Sequence, residues 1–381
     1  MNNTIMEDAA KRVARRFLPD EPEVRLRPLG QGLINETRLV EARSGRFVLQ
    51  RINGAVFADP EAIAANLLRV QDWLRGQAHA AVRLPQLLRA ANGEATLRDA
   101  DGHAWRLMEY IENSRVLRPL ENRTQAAEVG RALGRFHVAL AELDPGTLCL
   151  TLPDLHDTPR CKVNLESALA SARQADTKPA DTSTRGARAA EAAVMTALEH
   201  IEARAALIPT LQQARMDRIL LPSVTHGDPK LDNVLFARDA DRALCLIDLD
   251  TVQPGLRQHD IADCLRSCCN RVGGGGNAPL ANFDLNLCRA LLGGYAELAA
   301  PLFDRTALAF LYPAIQLIPL ELAMRFLADY LQGDRYFRVH SPRQNLDKTL
   351  IQLALVADIE AKRGAIERII SDCFTCGQRR A

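Results

Sequence analysis

Apolar and polar positions follow two different periods along this chain, and the change of period divides it. Residues 4–18 carry the spacing of an opening helix, after which Pro22 and Pro28 bracket a short extended run containing Val24 and Leu26. Two alternating runs, roughly Thr37 to Ala42 and Arg46 to Ile52, flank Ser44-Gly45 and predict a β-hairpin. Asp59-Pro60 then supplies an N-cap and a first-turn proline for a helix through Leu67, Val70 and Leu74. Strands are predicted near 94–98 and 104–111, around the turn Asp101-Gly102. From Asn122 the period becomes helical (Ala126, Val129, Leu133, Phe136, Leu140) and stays so, apart from short apolar runs at 232–236 and 243–248. The polar stretch 174–188 predicts a loop between two Ala-rich helices. The pattern predicts an α+β chain of two lobes: β-rich residues 1–112, then a larger helical part, 113–381, with a helical insert at about 155–222.

Composition narrows the function classes. A length of 381 residues, 25% charged and 47% hydrophobic, suits a globular chain of two lobes. The balance of 48 Lys+Arg against 47 Asp+Glu argues against a chain that coats nucleic acid or an anionic membrane. The N-terminus lacks the apolar core of a secretory signal, so a cytoplasmic location is expected. The most apolar stretch, Leu308 to Met324, is interrupted by Gln316, Glu321, Pro313 and Pro319, which predicts a buried helix pair rather than a bilayer span. Nine cysteines are an odd set; Cys264, Cys268 and Cys269 fall in one predicted helix, and the Cys373–Cys376 spacing lacks a second pair to complete a zinc site. Reduced thiols are expected. Basic residues are lopsided: the lysines are Lys11, Lys162, Lys178, Lys230, Lys348 and Lys362, and all other cations are arginines.

The densest chemistry lies in residues 224–263. Asp228 is followed five residues later by Asn233, and Asp248 closes the apolar run Ala243 to Ile247. Phosphoryl transfer needs a carboxylate to orient an acceptor hydroxyl and oxygen ligands to hold Mg²⁺ against nucleotide phosphates. A hairpin between Leu235 and Leu246 brings Asn233 and Asp248 together as metal ligands and leaves Asp228 on the acceptor side. Lys230 can reach the transferring phosphate as a point charge. Asp239-Ala240-Asp241 is the hairpin turn, and Asp250 can face either metal or acceptor.

His226-Gly227-Asp228 with Asn233 and Ile247-Asp248 resembles the catalytic and metal-binding motifs of the aminoglycoside phosphotransferase and choline kinase superfamily, which has a protein-kinase-like fold. Within it, Gly30-Gln31-Gly32-Leu33-Ile34-Asn35-Glu36-Thr37, Phe47 to Asn53, HGDPKLDN, IDLDTVQPG and Arg325 to Leu331 resemble the N-acetylhexosamine 1-kinase branch. The resemblance implies an ATP- and Mg²⁺-dependent kinase acting on the anomeric hydroxyl of a small sugar, with aminoglycosides and amino alcohols as alternative acceptors. It implies a phosphate flap at Gly30, Gly32 and Asn35, although Leu33 stands where the branch often has histidine. It also implies a basic residue on the following strand; no lysine lies there, so either Arg51 holds the phosphates, with Glu61 as a possible ion-pair partner, or Gln50 is in register and the charge comes from elsewhere. Glu109 and Ile111, in Met108-Glu109-Tyr110-Ile111, resemble the adenine-binding hinge, though an ordinary strand end reads the same. His226 and Asp260 are expected to brace the catalytic loop, and His137 to be a core or loop-bracing residue. Glu321 and Arg325, spaced i,i+4, are either a buried ion pair or sugar ligands, with Tyr312 as a neighbour.

Overall fold

The computed structural model describes residues 2–30, 34–77, 82–175, 188–271 and 281–378. Its N-terminal part is an antiparallel sheet beneath a helix. Helix α1 (Asn2–Phe17) precedes β1 (Arg25–Pro28), β2 (Glu36–Ala42) and β3 (Gly45–Arg51); α2 (Pro60–Arg75), β4 (Leu97–Arg98) and β5 (Ala104–Glu109) follow. The strand order is β1-β2-β3-β5-β4. Asp59 caps α2 by accepting from the Ala62 N–H, and Pro60 sits in the first turn.

Strand alternation gives this sheet two unlike faces. Val40, Leu49, Trp105 and Leu107 turn toward α1 and pack with Ala10, Val13 and Phe17. The opposite face carries Thr37, Gln50 and Arg106, paired in register across three strands, and looks toward the C-terminal part.

The C-terminal part is mainly helical. It contains α3 (Arg123–Ala139), α4 (Thr158–Ala175), α5 (Ala192–Glu202), α6 (Thr210–Met216), α7 (Arg257–Cys269), α8 (Leu285–Ala299), α9 (Arg305–Ala309), α10 (Leu311–Gln332), α11 (Gln344–Ala361) and α12 (Arg363–Gln378). Short strands the pattern did not suggest frame the predicted hairpin: β6 (Ser114–Val116) pairs with β8 (Val234–Ala237), which pairs with β9 (Ala243–Leu246). Likewise β7 (Ser223–Thr225) pairs with β10 (Gln253–Gly255). At three residues each, β6, β7 and β10 are too short for a periodic signal.

Helices α3 and α8 cross at backbone distance: a Cβ on Gly130 would stand 2.0 Å from Leu291 O, and one on Gly294 2.1 Å from Ala127 O. That approach places His137 against Tyr295 beneath the catalytic loop. Helix α4 lays Cys161, Leu165, Ala168 and Ala172 against Leu320, Met324 and Leu327 of α10.

Two expectations change. Leu308 to Met324 does cross from α9 into α10, but the break falls at Phe310 and not at a proline, because Pro313 lies in the first turn of α10 and Pro319 inside one continuous 22-residue helix. An interior proline costs about 3 kcal/mol, and α10 carries it inside the core, where Leu317, Ile318, Leu320, Ala323 and Met324 around Pro319 are buried. Among the described residues α10 is the one helix long and apolar enough to cross a membrane. The expected loop at 174–188 lies largely outside the described residues, α4 running on to Ala175.

Candidate active site

The catalytic loop runs from β7 through His226-Gly227-Asp228-Pro229-Lys230 into a 3-10 turn, Leu231–Asn233, and then β8. Its shape depends on Gly227, whose φ is +83° and where a Cβ would meet Thr251 O at 2.6 Å. Three side chains hold the backbone of His226 and Gly227. Asp260, fully buried on α7, accepts from the N–H groups of His226 (2.7 Å) and Gly227 (2.9 Å). The Thr251 hydroxyl donates to His226 O at 2.7 Å, and His156 reaches Gly227 O at 3.1 Å. Burial pushes the Asp260 carboxyl up, but the hydrogen bond from His137 and the backbone donors outweigh it and hold it below the usual range. His137 bonds Asp260 at 3.0 Å and Tyr295 Oη at 2.8 Å, and burial keeps it neutral. His226 is also kept neutral by burial and reaches Ile247 O at 3.1 Å.

The hairpin brings together the acidic and amide groups of the site. Register Val234↔Leu246 places Asn233 beside Asp248, with Asn233 Nδ2 at 3.5 Å from Asp248 Oδ2, 3.2 Å from Asp228 Oδ2 and 2.8 Å from Asp228 O. Asp248 adopts a left-handed backbone, φ +63°. Burial, then the Asp250 charge, pushes its carboxyl up to about 6. A half-buried carboxylate beside an amide that can turn its oxygen inward is a donor set that fits a divalent cation. Lys230 Nζ pairs with Asp228. Burial alone would lower the Lys230 ammonium, but Asp228 and then Asp248 outweigh it and keep it charged.

Arg51 and Gln50, the two alternatives on β3, take opposite faces of the sheet. Arg51 lies on the α1 face of the sheet, bonded to Glu36 at 3.0 Å with its guanidinium 6.0 Å from the Trp105 ring. Its neighbour Gln50 is in register on the other face and accepts from Arg106 at 2.6 and 3.0 Å. Arg106 is buried, forms an ion pair with Asp250, and keeps one buried guanidinium nitrogen, Nη1, without a protein partner among the described residues. Asp250 is therefore a bridge between the two parts of the molecule rather than a metal or acceptor group. Glu61 pairs with Arg98 instead of Arg51.

The remaining candidates divide. Gly30 stands in open space at φ +70°, while Gly32 lies outside the described residues. Asn35 is committed to the same bridge: its amide donates to Asp250 Oδ2 at 2.6 Å, and its oxygen accepts from the Asn53 N–H at 2.9 Å. The Glu109 carboxylate bonds Arg83 at 2.7 Å, the Glu109 N–H donates to Gln86 O, and Ile111 O accepts from Ser114.

Glu321 and Arg325 share one face of α10, yet Glu321 bonds elsewhere: Oε1 lies 3.2 Å from His156 Nδ1, and Oε2 accepts from Thr158 at 2.9 Å. Burial would raise the Glu321 carboxyl, but His156 and then Arg325 hold it down at about 2. The Arg325 guanidinium lies against the Tyr336 and Phe337 rings, and the charges of Glu321 and Asp228 keep it protonated. Tyr312 does not join this group. It lies nine residues, about 14 Å, back along α10, with Arg363 over its ring at 5.2 Å. His156 and Arg106 escaped the sequence reading because neither lies in a motif and each acts through a contact distant in sequence.

Residues 25–301 match the phosphotransferase enzyme family. Three solved structures are similar over most of their length. An aminoglycoside phosphotransferase from Alicyclobacillus acidocaldarius is 16% identical, with 91% of this chain and 94% of that one covered and a TM-score of 0.60. A microcompartment-associated aminopropanol kinase is 16% identical, covering 93% and 98%, with a TM-score of 0.57. Spectinomycin phosphotransferase in complex with ADP and spectinomycin is 14% identical, covering 90% and 94%, with a TM-score of 0.55. At these identities the likeness establishes a shared two-lobed, kinase-like α+β fold. With the family match spanning well over half of its length, the chain belongs to the phosphotransferase enzyme family.

Proposed function

We propose that this protein is an ATP-dependent kinase that phosphorylates a hydroxyl group of a small molecule. The observation that carries this is the convergence of Asp228, Lys230, Asn233 and Asp248 on one buried-backed loop within hydrogen-bond reach of one another. Residues 1–112 supply the nucleotide contacts, and residues 113–381 supply the catalytic loop and the acceptor side. ADP in a structure of similar fold supports the nucleotide assignment.

Asp228 orients the acceptor hydroxyl and takes its proton as the oxygen attacks the γ-phosphate. Among the described residues, the side-chain hydrogen bonds to its carboxylate, from Lys230 and Asn233, fall on Oδ2, so Oδ1 can accept that proton. Asn233 and Asp248 would hold Mg²⁺, which when bound neutralises phosphate charge. Lys230 offsets charge near the transferring group. Arg106 takes the role first expected of Arg51: it is fixed by Gln50 and Asp250, and its free Nη1 is a donor suited to a phosphate oxygen.

For the acceptor, we infer a neutral sugar, most closely an N-acetylhexosamine phosphorylated at its anomeric hydroxyl. The sequence blocks that resemble that branch support this. So does the charge around Asp228, where Arg325, Arg266 and Lys230 interact with its carboxylate and the Glu321 charge is answered by His156. Such surroundings disfavour a polycation. The second reading, an amino alcohol or aminoglycoside acceptor, is supported by the aminopropanol kinase and the aminoglycoside phosphotransferases of similar fold. An ADP-release assay over free sugars, amino alcohols and aminoglycosides, with ³¹P NMR to locate the phosphate, separates them. Phosphate appearing away from C1, or turnover confined to amines, overturns the sugar assignment.

A further inference from the structure

His156 lies outside every motif, yet its setting is unusual. It is a non-glycine residue at φ +58°, in the segment that opens α4, with its side chain 11% exposed. Its two ring nitrogens both face pure acceptors: Nε2 lies 3.1 Å from Gly227 O, and Nδ1 lies 3.2 Å from the Glu321 carboxylate. A neutral imidazole has one N–H, so it can serve only one of them; both bonds together require the imidazolium. Gly227 O belongs to the peptide that leads directly into Asp228. The other loop anchors, Asp260 and Thr251, hold the preceding backbone groups and leave this carbonyl to His156.

We propose that the His156 imidazolium is a positioning residue, which ties the Gly227–Asp228 peptide to Glu321 of α10 and makes the set of the Asp228 carboxylate depend on one proton. This rests on the phosphotransferase reading above and adds to it a protonation-dependent control of the same site. Loss of the proton removes one of the two N–H donors, so either the catalytic loop or the acceptor-side helix is released.

The surrounding charges favour the protonated ring. Glu321 stands on α10 with Arg325 one turn beyond it; α7 presents Asp260, Asp263 and His259, whose ring centroid lies 4.8 Å from that of His156. Asp154 and Asp157 flank it in its own segment. Burial works against the charge, but Glu321, then Asp263 and Asp260, outweigh it and raise His156 above the ordinary histidine value. His259 yields in compensation: burial and the His156 charge drive it down to about 3, so the adjacent pair carries a single charge.

Two measurements on the full chain test this. In protein labelled with ¹⁵N-histidine, the His156 resonances, assigned with H156Q, are expected to remain those of an imidazolium to a midpoint above the ordinary value of about 6.5. That midpoint should fall by roughly one unit or more in E321Q, which removes the neighbouring charge. A midpoint at or below the ordinary value overturns the proposal whether or not an acceptor is turned over. With an acceptor from the ADP-release panel, kcat should decline on the alkaline side with the same midpoint. H156Q, whose amide is uncharged and does not titrate, should lose that limb and run about tenfold slower with an unchanged KM for ATP. A folded H156Q that keeps the limb at its original midpoint refutes the inference. Absence of turnover on every acceptor refutes the phosphotransferase reading instead, and the NMR midpoint then decides the His156 bond pair by itself.

Discussion

Replacing Arg106 by methionine distinguishes the tertiary assignment of the phosphate-holding cation from the sequence-based one. The Arg106–Asp250 pair is nearly inaccessible, with side chains 2% and 3% exposed, so Arg106→Met leaves a buried carboxylate supported only by Asn35. Removing one partner of such a pair costs about 3–5 kcal/mol, a large fraction of a total stability of about 5–15 kcal/mol. Urea unfolding should show this as a midpoint lowered by roughly 1 M or more. The KM for ATP should rise about ten- to hundredfold, corresponding to loss of a charged hydrogen bond worth about 1.5–3 kcal/mol. Adding Asp250→Asn removes the orphaned charge and should recover most of the stability without restoring the KM. Arg51→Met is the control. Its bond to Glu36 is partly exposed and worth at most about 1 kcal/mol, and it lies on the α1 face, so ATP kinetics should be unchanged. If Arg51→Met raises the KM for ATP more than Arg106→Met does, the face assignment is wrong.

Other outcomes follow from the same geometry. Asp228→Asn should lower turnover by about 10²–10⁴-fold while ATP affinity, read by calorimetry, stays within about twofold. Gly227→Ala must place a Cβ against Thr251 O at positive φ, and should lower Tm and cut kcat more than it changes the KM for ATP. The Glu321 carboxyl is depressed to about 2 in the folded chain, so its stabilisation is present above the ordinary range near 4.3 and is lost as pH falls through about 2. Glu321→Gln should accordingly lower Tm at pH 7, with the gap to wild type narrowing as pH drops below about 4. Chelation of divalent cations should abolish turnover, and Asp248→Asn should be nearly inactive with or without added Mg²⁺.

Much of the site was legible because it is local. The stretch from His226 to Asp248 folds back on itself through one hairpin, so spacing alone places Asn233 beside Asp248, and Asp260 follows within the next helix. The choice between Arg51 and Gln50 was not legible, since a shift of one residue along a strand reverses the face a side chain takes, and β3 lacks a clean alternation to mark its parity. Tyr312 shares a helix with Glu321, but nine residues of rise separate them. Pro313 and Pro319 were read as breaks because local propensity says so; the packing of α10 overrides it.

Sequence by itself determined the two-period layout, the cap of α2, the hairpin and the order of the chemical groups on the catalytic loop, all consequences of neighbours within about twenty residues. Tertiary structure alone decided which cation faces the catalytic loop, what Asp250 and Asn35 hold, and that His156 joins Gly227 to Glu321. These are contacts between groups 71 to 215 residues apart, counting His156 to Gly227 and Asn35 to Asp250. Their partners are selected by how the lobes and helices pack, which no local periodicity encodes.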